Sequence, residues 1–353
     1  MERVKDFLKK KNIEISVKRY FIDALGAMAQ GLFASLLIGT IIGTLGTQLG
    51  IDVLVTVGNY AKSAVGPAMA IAIGYALQAP PLVLFSLVAV GISANELGGA
   101  GGPLAVLIVA VIAAECGKVV SKETKIDIIV TPFVTIFIGV LLSLWMAPAI
   151  GNAASSLGNA IMWATEQQPL IMGILVSVIV GIALTLPISS AAICAALSLT
   201  GLAGGAAVAG CSAQMIGFAV LSFRENGWGG FFAQGIGTSM LQMGNIVKNP
   251  KIWIPAILTS AITGPLATCV FQMEMNGAAV SSGMGTCGLV GQIGIYTGWI
   301  SDIAAGTKAG ITCMDWFGLI LICFIMPSVL TWVFGLFFRK IGWIKENDLK
   351  LDL

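Results

Sequence analysis

Two long apolar runs in this chain are each interrupted by proline at a depth where a membrane-spanning helix would still lie inside the bilayer. Residues 71–77 run into Gln78-Ala79-Pro80-Pro81, and residues 170–184 run into Thr185-Leu186-Pro187-Ile188-Ser189-Ser190. In hydrocarbon an unpaired backbone N–H or C=O costs on the order of several kcal/mol, so spanning segments fold as helices. Broken backbone survives only where protein buries it or where it lines a polar cavity. One such break in each half of a chain points to a solute site near the membrane midplane.

Composition narrows the class. Hydrophobic residues make up 57% of the chain and charged residues 10%, a balance that excludes an ordinary soluble domain, and no nucleic-acid partner is expected. Seven of the 19 Lys and Arg residues (Arg3, Lys5, Lys9, Lys10, Lys11, Lys18, Arg19) precede the first apolar run, and four (Arg339, Lys340, Lys345, Lys350) follow the last. The positive-inside rule then sets both termini in the cytoplasm and makes the number of crossings even. Residues 21–45 are too long for a signal-peptide core and further spans follow, so this segment is expected to stay as a helix. In the leader, Val4, Phe7, Leu8 and Ile13 alternate with lysines, as in a helix lying on an anionic lipid surface. A solvated topology signal is the competing reading.

Crossing about 30 Å of hydrocarbon takes roughly 20 helical residues. Candidate apolar segments are residues 21–45, 51–77, 104–116, 126–150, 170–184, 191–223, 231–247, 252–271 and 316–338. Residues 82–92 are too short to cross alone and lead into a flexible polar tip at 95–103. Residues 118–125 form a basic loop, and residues 151–168 read as an amphipathic interfacial segment. The expected fold is an all-α polytopic membrane protein of about 8–10 transmembrane helices with re-entrant hairpins. Its expected organisation is a basic cytoplasmic segment over 1–19, one transmembrane domain over 20–338 and a cytoplasmic tail over 339–353.

The seven cysteines occur singly, mostly inside apolar runs, which suggests neither a disulfide framework nor a zinc site. The clustered methionines, Met240, Met243, Met273, Met275 and Met284, read as fillers of apolar gaps, so no metal and no cofactor are expected. The chain has no histidine, which removes the commonest proton shuttle and phosphate carrier. Any phosphohistidine chemistry must belong to another protein.

The order of several motifs carries a resemblance. Ala72-Ile73-Gly74-Tyr75-Ala76-Leu77-Gln78-Ala79-Pro80 is followed by Gly98-Gly99-Ala100-Gly101-Gly102-Pro103 and then by Lys125-Ile126-Asp127-Ile128-Ile129-Val130-Thr131-Pro132. Further on come Gly237-Thr238-Ser239 and Asn249-Pro250-Lys251-Ile252-Trp253-Ile254-Pro255. Over residues 21–338 this order resembles the membrane-embedded EIIC component of the bacterial phosphotransferase system (PTS), with its fructose-type branch closest and, within the superfamily, the PfoR group of EIIC-like proteins. The resemblance implies a multi-pass homodimer of the bacterial cell membrane. Each protomer would hold a sugar between two re-entrant hairpins and move it by an elevator-like displacement, and separate EIIA and EIIB proteins would phosphorylate it. The chain departs from the pattern in one respect. Family transporters usually carry a glutamate just upstream of the (D/N)P position and a histidine in the next hairpin. Here Ser239-Met240-Leu241-Gln242-Met243-Gly244-Asn245 holds no acid. An amide binds a hydroxyl but cannot take its proton.

Candidate substrate-binding residues follow from the breaks and from the polar groups between apolar runs. Glu96 with Asn95 and Glu274 with Asn276 pair an acid with an amide, and an ionisable residue at membrane depth is a site hypothesis by default; interfacial solvated loops are the alternative. Gln78, Thr185, Ser189 and Ser190 flank the breaks, where they either bind hydroxyls or satisfy orphaned helix ends. Gln242 and Asn245 share one predicted helix face with Gln234 and Thr238, at spacings of four, four and three, suited to a wet cavity or to interhelical hydrogen bonds. Glu115 and Lys118 read as a surface pair at a helix end, and Lys62 and Asp302 are assigned no role. No catalytic residue is expected. Three functions compete: an EIIC-type sugar permease, a PfoR-like membrane sensor or regulator, and a transporter uncoupled from phosphorylation.

Overall fold

The computed structural model describes residues 2–351. The side chains of residues 2–5, with Arg3, Val4 and Lys5 among the leader residues cited above, lie outside the described residues, as do residues 352 and 353. Among the described residues the chain is helical without strands, apart from one isolated antiparallel bridge between Gly201 and Met275. Six helical segments of the described residues are long and apolar enough to cross a membrane: Arg19–Leu49, Pro81–Val120, Asp127–Thr165, Gly201–Leu221, Pro250–Val270 and Cys313–Lys340. Two shorter apolar helices, Val65–Ala76 and Pro169–Thr185, precede the two breaks. The protein is therefore an all-α polytopic membrane protein. It divides into two compact units, Met1–Ala154 and Ser155–Leu353.

In the first unit, helices pair through small residues. A Cβ on either Gly66 or Gly91 would stand 2.3 Å from the other's carbonyl oxygen, so the Val65–Ala76 and Pro81–Gly98 helices meet backbone to backbone, the packing that membranes favour where burial of apolar surface gives no drive. The first break is a helix cap followed by a restart. Gln78 takes a left-handed φ of 55°, its N–H bonds the Tyr75 carbonyl at 2.9 Å and the Ala79 N–H bonds the Gly74 carbonyl at 2.8 Å. This is the paired closure of a Schellman end. Pro80 is then extended and Pro81 opens the next helix, where its missing N–H is no loss.

Two segment readings need correction. Residues 82–92 are not a short piece before a flexible tip, because the helix runs Pro81–Gly98 and turns through Gly99 at φ 50° into Gly102–Val120. Asn95 and Glu96 thus sit in a helical last turn; nothing before Gly98 breaks the helix. Residues 151–165 belong to the unbroken helix Asp127–Thr165, since their small residues neither cap nor interrupt it.

In the second unit the Gly201–Leu221 helix is the core: 94% of its most apolar window is buried. The Pro169–Thr185, Ile254–Pro265 and Met326–Lys340 helices surround it. Its glycines and alanines permit this. A Cβ on Gly210 would lie 1.9 Å from the Ser177 carbonyl oxygen, whereas one on Gly229 meets nothing within 4 Å. Gly210→Ala is expected to destabilise by about 1–3 kcal/mol through overpacking against immobile backbone, read as a lower thermal midpoint in detergent. Gly229→Ala should leave the midpoint in place. Equal midpoints for the two variants would contradict the close packing.

Candidate functional site

The first break is held by the leader. The Leu77 carbonyl that ends the Val65–Ala76 helix accepts from Arg19 Nη2 at 2.9 Å and from Lys118 Nζ at 3.0 Å. Cations suit the negative end of a helix dipole. Lys118 Nζ also donates to the Asn12 carbonyl at 2.7 Å and lies 2.9 Å from Glu115 Oε2, while Tyr20 donates to Glu115 Oε1 at 3.3 Å. Lys118 is 1% exposed. The reading of Glu115 and Lys118 as a surface pair is therefore wrong: the leader folds back over the pair and buries it. Gln78 accepts from Asn12 Nδ2, so its side chain is already engaged by the leader. Nearby, Lys11 pairs with Glu123, and this hydrogen-bonded ion pair holds the Glu123 carboxyl below its usual range. Glu96 is exposed, and half-buried Asn95 packs against Gly102 rather than bonding it.

The second break places a hydroxyl in a buried polar stripe. The Pro169–Thr185 helix ends as Leu186 becomes extended, and Thr185, fully buried, shares a 2.8 Å hydrogen bond with Ser239 Oγ. Gln214, in the middle of the core helix, extends the stripe: its Nε2 donates to Ser260 Oγ at 3.2 Å and its Oε1 accepts from Trp253 Nε1 at 2.8 Å. Ser189 caps the next short helix, accepting from the Ala192 N–H at 3.2 Å. Ser190 donates to the Gly283 carbonyl at 2.7 Å, and Ser282 returns a 2.6 Å bond to the Leu199 carbonyl. These two bonds pin the Ser190–Ala196 tip to the turn Ala279–Gly283.

Gln234, Thr238, Gln242 and Asn245 do not lie along one helix face. The backbone becomes extended at Thr238 and restarts in a tight turn, Ser239–Gln242, before the Met243–Lys248 helix, because Gly235 and Gly237 weaken the run. Three of the four still meet. Gln242 Nε2 donates to Gln234 Oε1 and Asn245 Nδ2 donates to Gln242 Oε1, each at 2.9 Å. The C-terminal tail closes this ladder: the Leu349 carbonyl accepts from Gln242 at 2.9 Å and the Lys350 carbonyl from Asn245 at 2.8 Å. Asn276 Nδ2 joins two acids, donating to Glu274 Oε2 at 3.0 Å and to Asp302 Oδ2 at 2.9 Å, so Asp302 belongs with that pair.

The family described as Phosphotransferase system, EIIC, matches residues 22–351. The chain belongs to the EIIC family of the phosphotransferase system. No curated protein and no solved structure gives a match. Membership implies a sugar substrate and partner EIIA and EIIB proteins, and the polar stripe and amide ladder of this EIIC chain are chemically suited to hydroxyl groups. Amide and hydroxyl side chains both donate and accept, as sugar hydroxyls do. Neither the stripe nor the ladder contains an acid or a histidine, so neither supplies a base.

The residues of the stripe missed from the sequence are Ser239, Trp253, Ser260 and Gln214. Gln214 could have been found as the lone amide within the Gly/Ala-rich run 201–221, where a polar side chain without a role would be expensive. Ser239 and Trp253 carried no such signal, because their partners lie 54 and 39 residues away.

Proposed function

We propose that this EIIC chain is a permease of the bacterial cytoplasmic membrane that binds and translocates a sugar or related polyhydroxylated solute, both termini being cytoplasmic and the protein working as a homodimer. The observation that carries the reading is the stripe formed at the second break, where Thr185, Ser239, Gln214 and Ser260 present alternating donors and acceptors in a buried setting. Thr185, with Ser189, Ser190, Gln242, Asn245, Glu274 and Asn276, would line a solute path within the second unit; Gln78, Asn95 and Glu96 are the candidates of the first unit, each unit taken by itself. Separate EIIA and EIIB proteins would perform any phosphorylation. The second reading is a PfoR-like sensor or a transporter uncoupled from phosphorylation, favoured by the absence of histidine and of an acid between Ser239 and Asn245.

The test is thermal stabilisation of the purified protein across sugars, polyols and sugar phosphates, with uptake into proteoliposomes. A saturable shift is expected. Thr185→Val should weaken it about tenfold, the worth of one buried hydrogen bond of roughly 1.4 kcal/mol. If no compound shifts the midpoint and none is taken up, the permease reading fails; phosphorylation of the solute with a cognate EIIB would remove the second reading.

A further inference from the structure

Two cavities meet where the Gly201–Leu221 and Met326–Lys340 helices end. One, of about 250 Å³, is an apolar cleft walled by Phe223, Phe231, Trp332 and Leu336. The other, an open groove of about 880 Å³, is lined by Arg224, Arg339, Lys345, Lys350, Glu225 and Glu346. Arg224 and Arg339 line both. The two cavities therefore adjoin at these arginines, one lined mainly by charged side chains and the other mainly by apolar ones.

The charges in the groove do not cancel. Arg339 donates to Glu225 Oε1 at 2.8 Å and to the Leu221 carbonyl at 3.2 Å, and the Glu225 side chain is 6% exposed, so this pair is neutral and structural. Among the described lining residues, what remains is Arg224, Lys345 and Lys350 against Glu346, a net +2 from three cations and one anion. Arg224 is exposed and makes no side-chain hydrogen bond or ion pair among the described residues. The tail that carries the two lysines is fixed beside it, since the Leu349 and Lys350 carbonyls are held by Gln242 and Asn245.

The aromatic residues give the depth. Phe223, Trp228, Phe231 and Phe232 form one cluster with ring centroids 5.1–6.1 Å apart, and Trp228, Phe232 and Trp332 are more than half exposed. Exposed Trp beside the basic end of a spanning helix marks the headgroup level of a bilayer. Basic pockets between spanning helices at that level hold anionic head groups, and guanidinium matches phosphate oxygens in pairs. A soluble phosphate would use the cations and leave the cleft empty. A zwitterionic lipid would bring an ammonium into a field of positive sign.

We propose that the groove and cleft together form a binding site for an anionic phospholipid, its phosphate held by Arg224 with Lys345 and Lys350 and one acyl chain lying along Phe231, Trp332 and Leu336. The site stands independently of the sugar reading. Purified full-length protein in detergent is titrated with phosphatidylglycerol, phosphatidylcholine and glycerol 3-phosphate, with retained lipid read by native mass spectrometry and stability by tryptophan fluorescence. Phosphatidylglycerol is expected to be retained and to raise the midpoint, and the other two to do neither. The double variant Arg224→Gln with Lys345→Gln should weaken phosphatidylglycerol retention about 10- to 30-fold, at roughly 1 kcal/mol per charge, with the lipid-free midpoint unchanged. Lys125→Gln, an exposed cation of the first unit, should have no effect. Equal retention of the two lipids, stabilisation by glycerol 3-phosphate matching that by phosphatidylglycerol, or retention in the double variant within about twofold of the parent would each overturn the site. The midpoint shift given by sugars, measured in the same samples, should be the same in parent and double variant, which keeps failure of this site distinct from failure of the permease reading.

Discussion

Lys118→Met is expected to lower stability by about 3–5 kcal/mol, the cost of removing one partner of a buried ion pair. Methionine nearly matches the chain length but donates nothing. The Asn12 and Leu77 carbonyls each lose a donor, and Glu115 Oε2 loses its ion-pair partner. Leu77 keeps Arg19 and Glu115 keeps Tyr20 on its other oxygen, so the largest part of the loss is the Glu115 charge, whose side chain is only 13% exposed. Glu115→Gln on top of Lys118→Met should therefore recover part of the loss, because a neutral amide is cheaper to bury unpaired than a carboxylate. The measurement is thermal unfolding of the four proteins of this cycle in one detergent. A single variant within about 0.5 kcal/mol of the parent would show that Lys118 is not the buried lock of the first break, since surface substitutions fall in that range.

The same residue shows what the sequence could carry and what it could not. Glu115 and Lys118 are three apart on a helix, and that pairing is legible at once. Their burial is not, because it comes from the leader folding back, Asn12 onto Lys118 across 106 residues and Arg19 onto Leu77 across 58. The helical class and the two breaks were readable because hydrocarbon leaves the backbone so few options. The breaks were also readable as to place, and Gln78 and Leu186 do leave helical geometry there. Their closure was not. At the first break it depends on a left-handed Gln78 and on two distant cations, and at the second on Ser239, none of which periodicity reports. The amides at 234, 242 and 245 do meet, but not along the helix face that their spacing implied, since that helix is broken at Thr238. Their contact with the tail was invisible for a plainer reason: a main-chain carbonyl such as that of Leu349 has no sequence signature at all.

That contact fixes the outcome of restoring an acid where the family pattern expects one. Gln242→Glu is expected to destabilise by about 3–5 kcal/mol at neutral pH, as a buried carboxylate facing acceptors. Gln242 is fully buried, and its Nε2 lies 2.9 Å from both Gln234 Oε1 and the Leu349 carbonyl. An ionised glutamate would set an oxygen against those two oxygens and keep only the bond accepted from Asn245. The protonated acid can still donate to one of them, so the folded state favours the neutral form and raises the carboxyl above its unfolded value of about 4.3. The sign follows from linkage: the penalty is small below the unfolded value, grows as pH rises past it, and is complete above the folded value. The gap in thermal midpoint between Gln242→Glu and the parent should therefore be wider at pH 8 than at pH 5. Removing residues 345–351 from both proteins takes away the Leu349 carbonyl and admits water, so the gap should narrow. A gap that ignores both pH and the tail would mean that Gln242 does not hold the tail, and an amide here would then be an ordinary substitute for an acid rather than the residue that this arrangement requires.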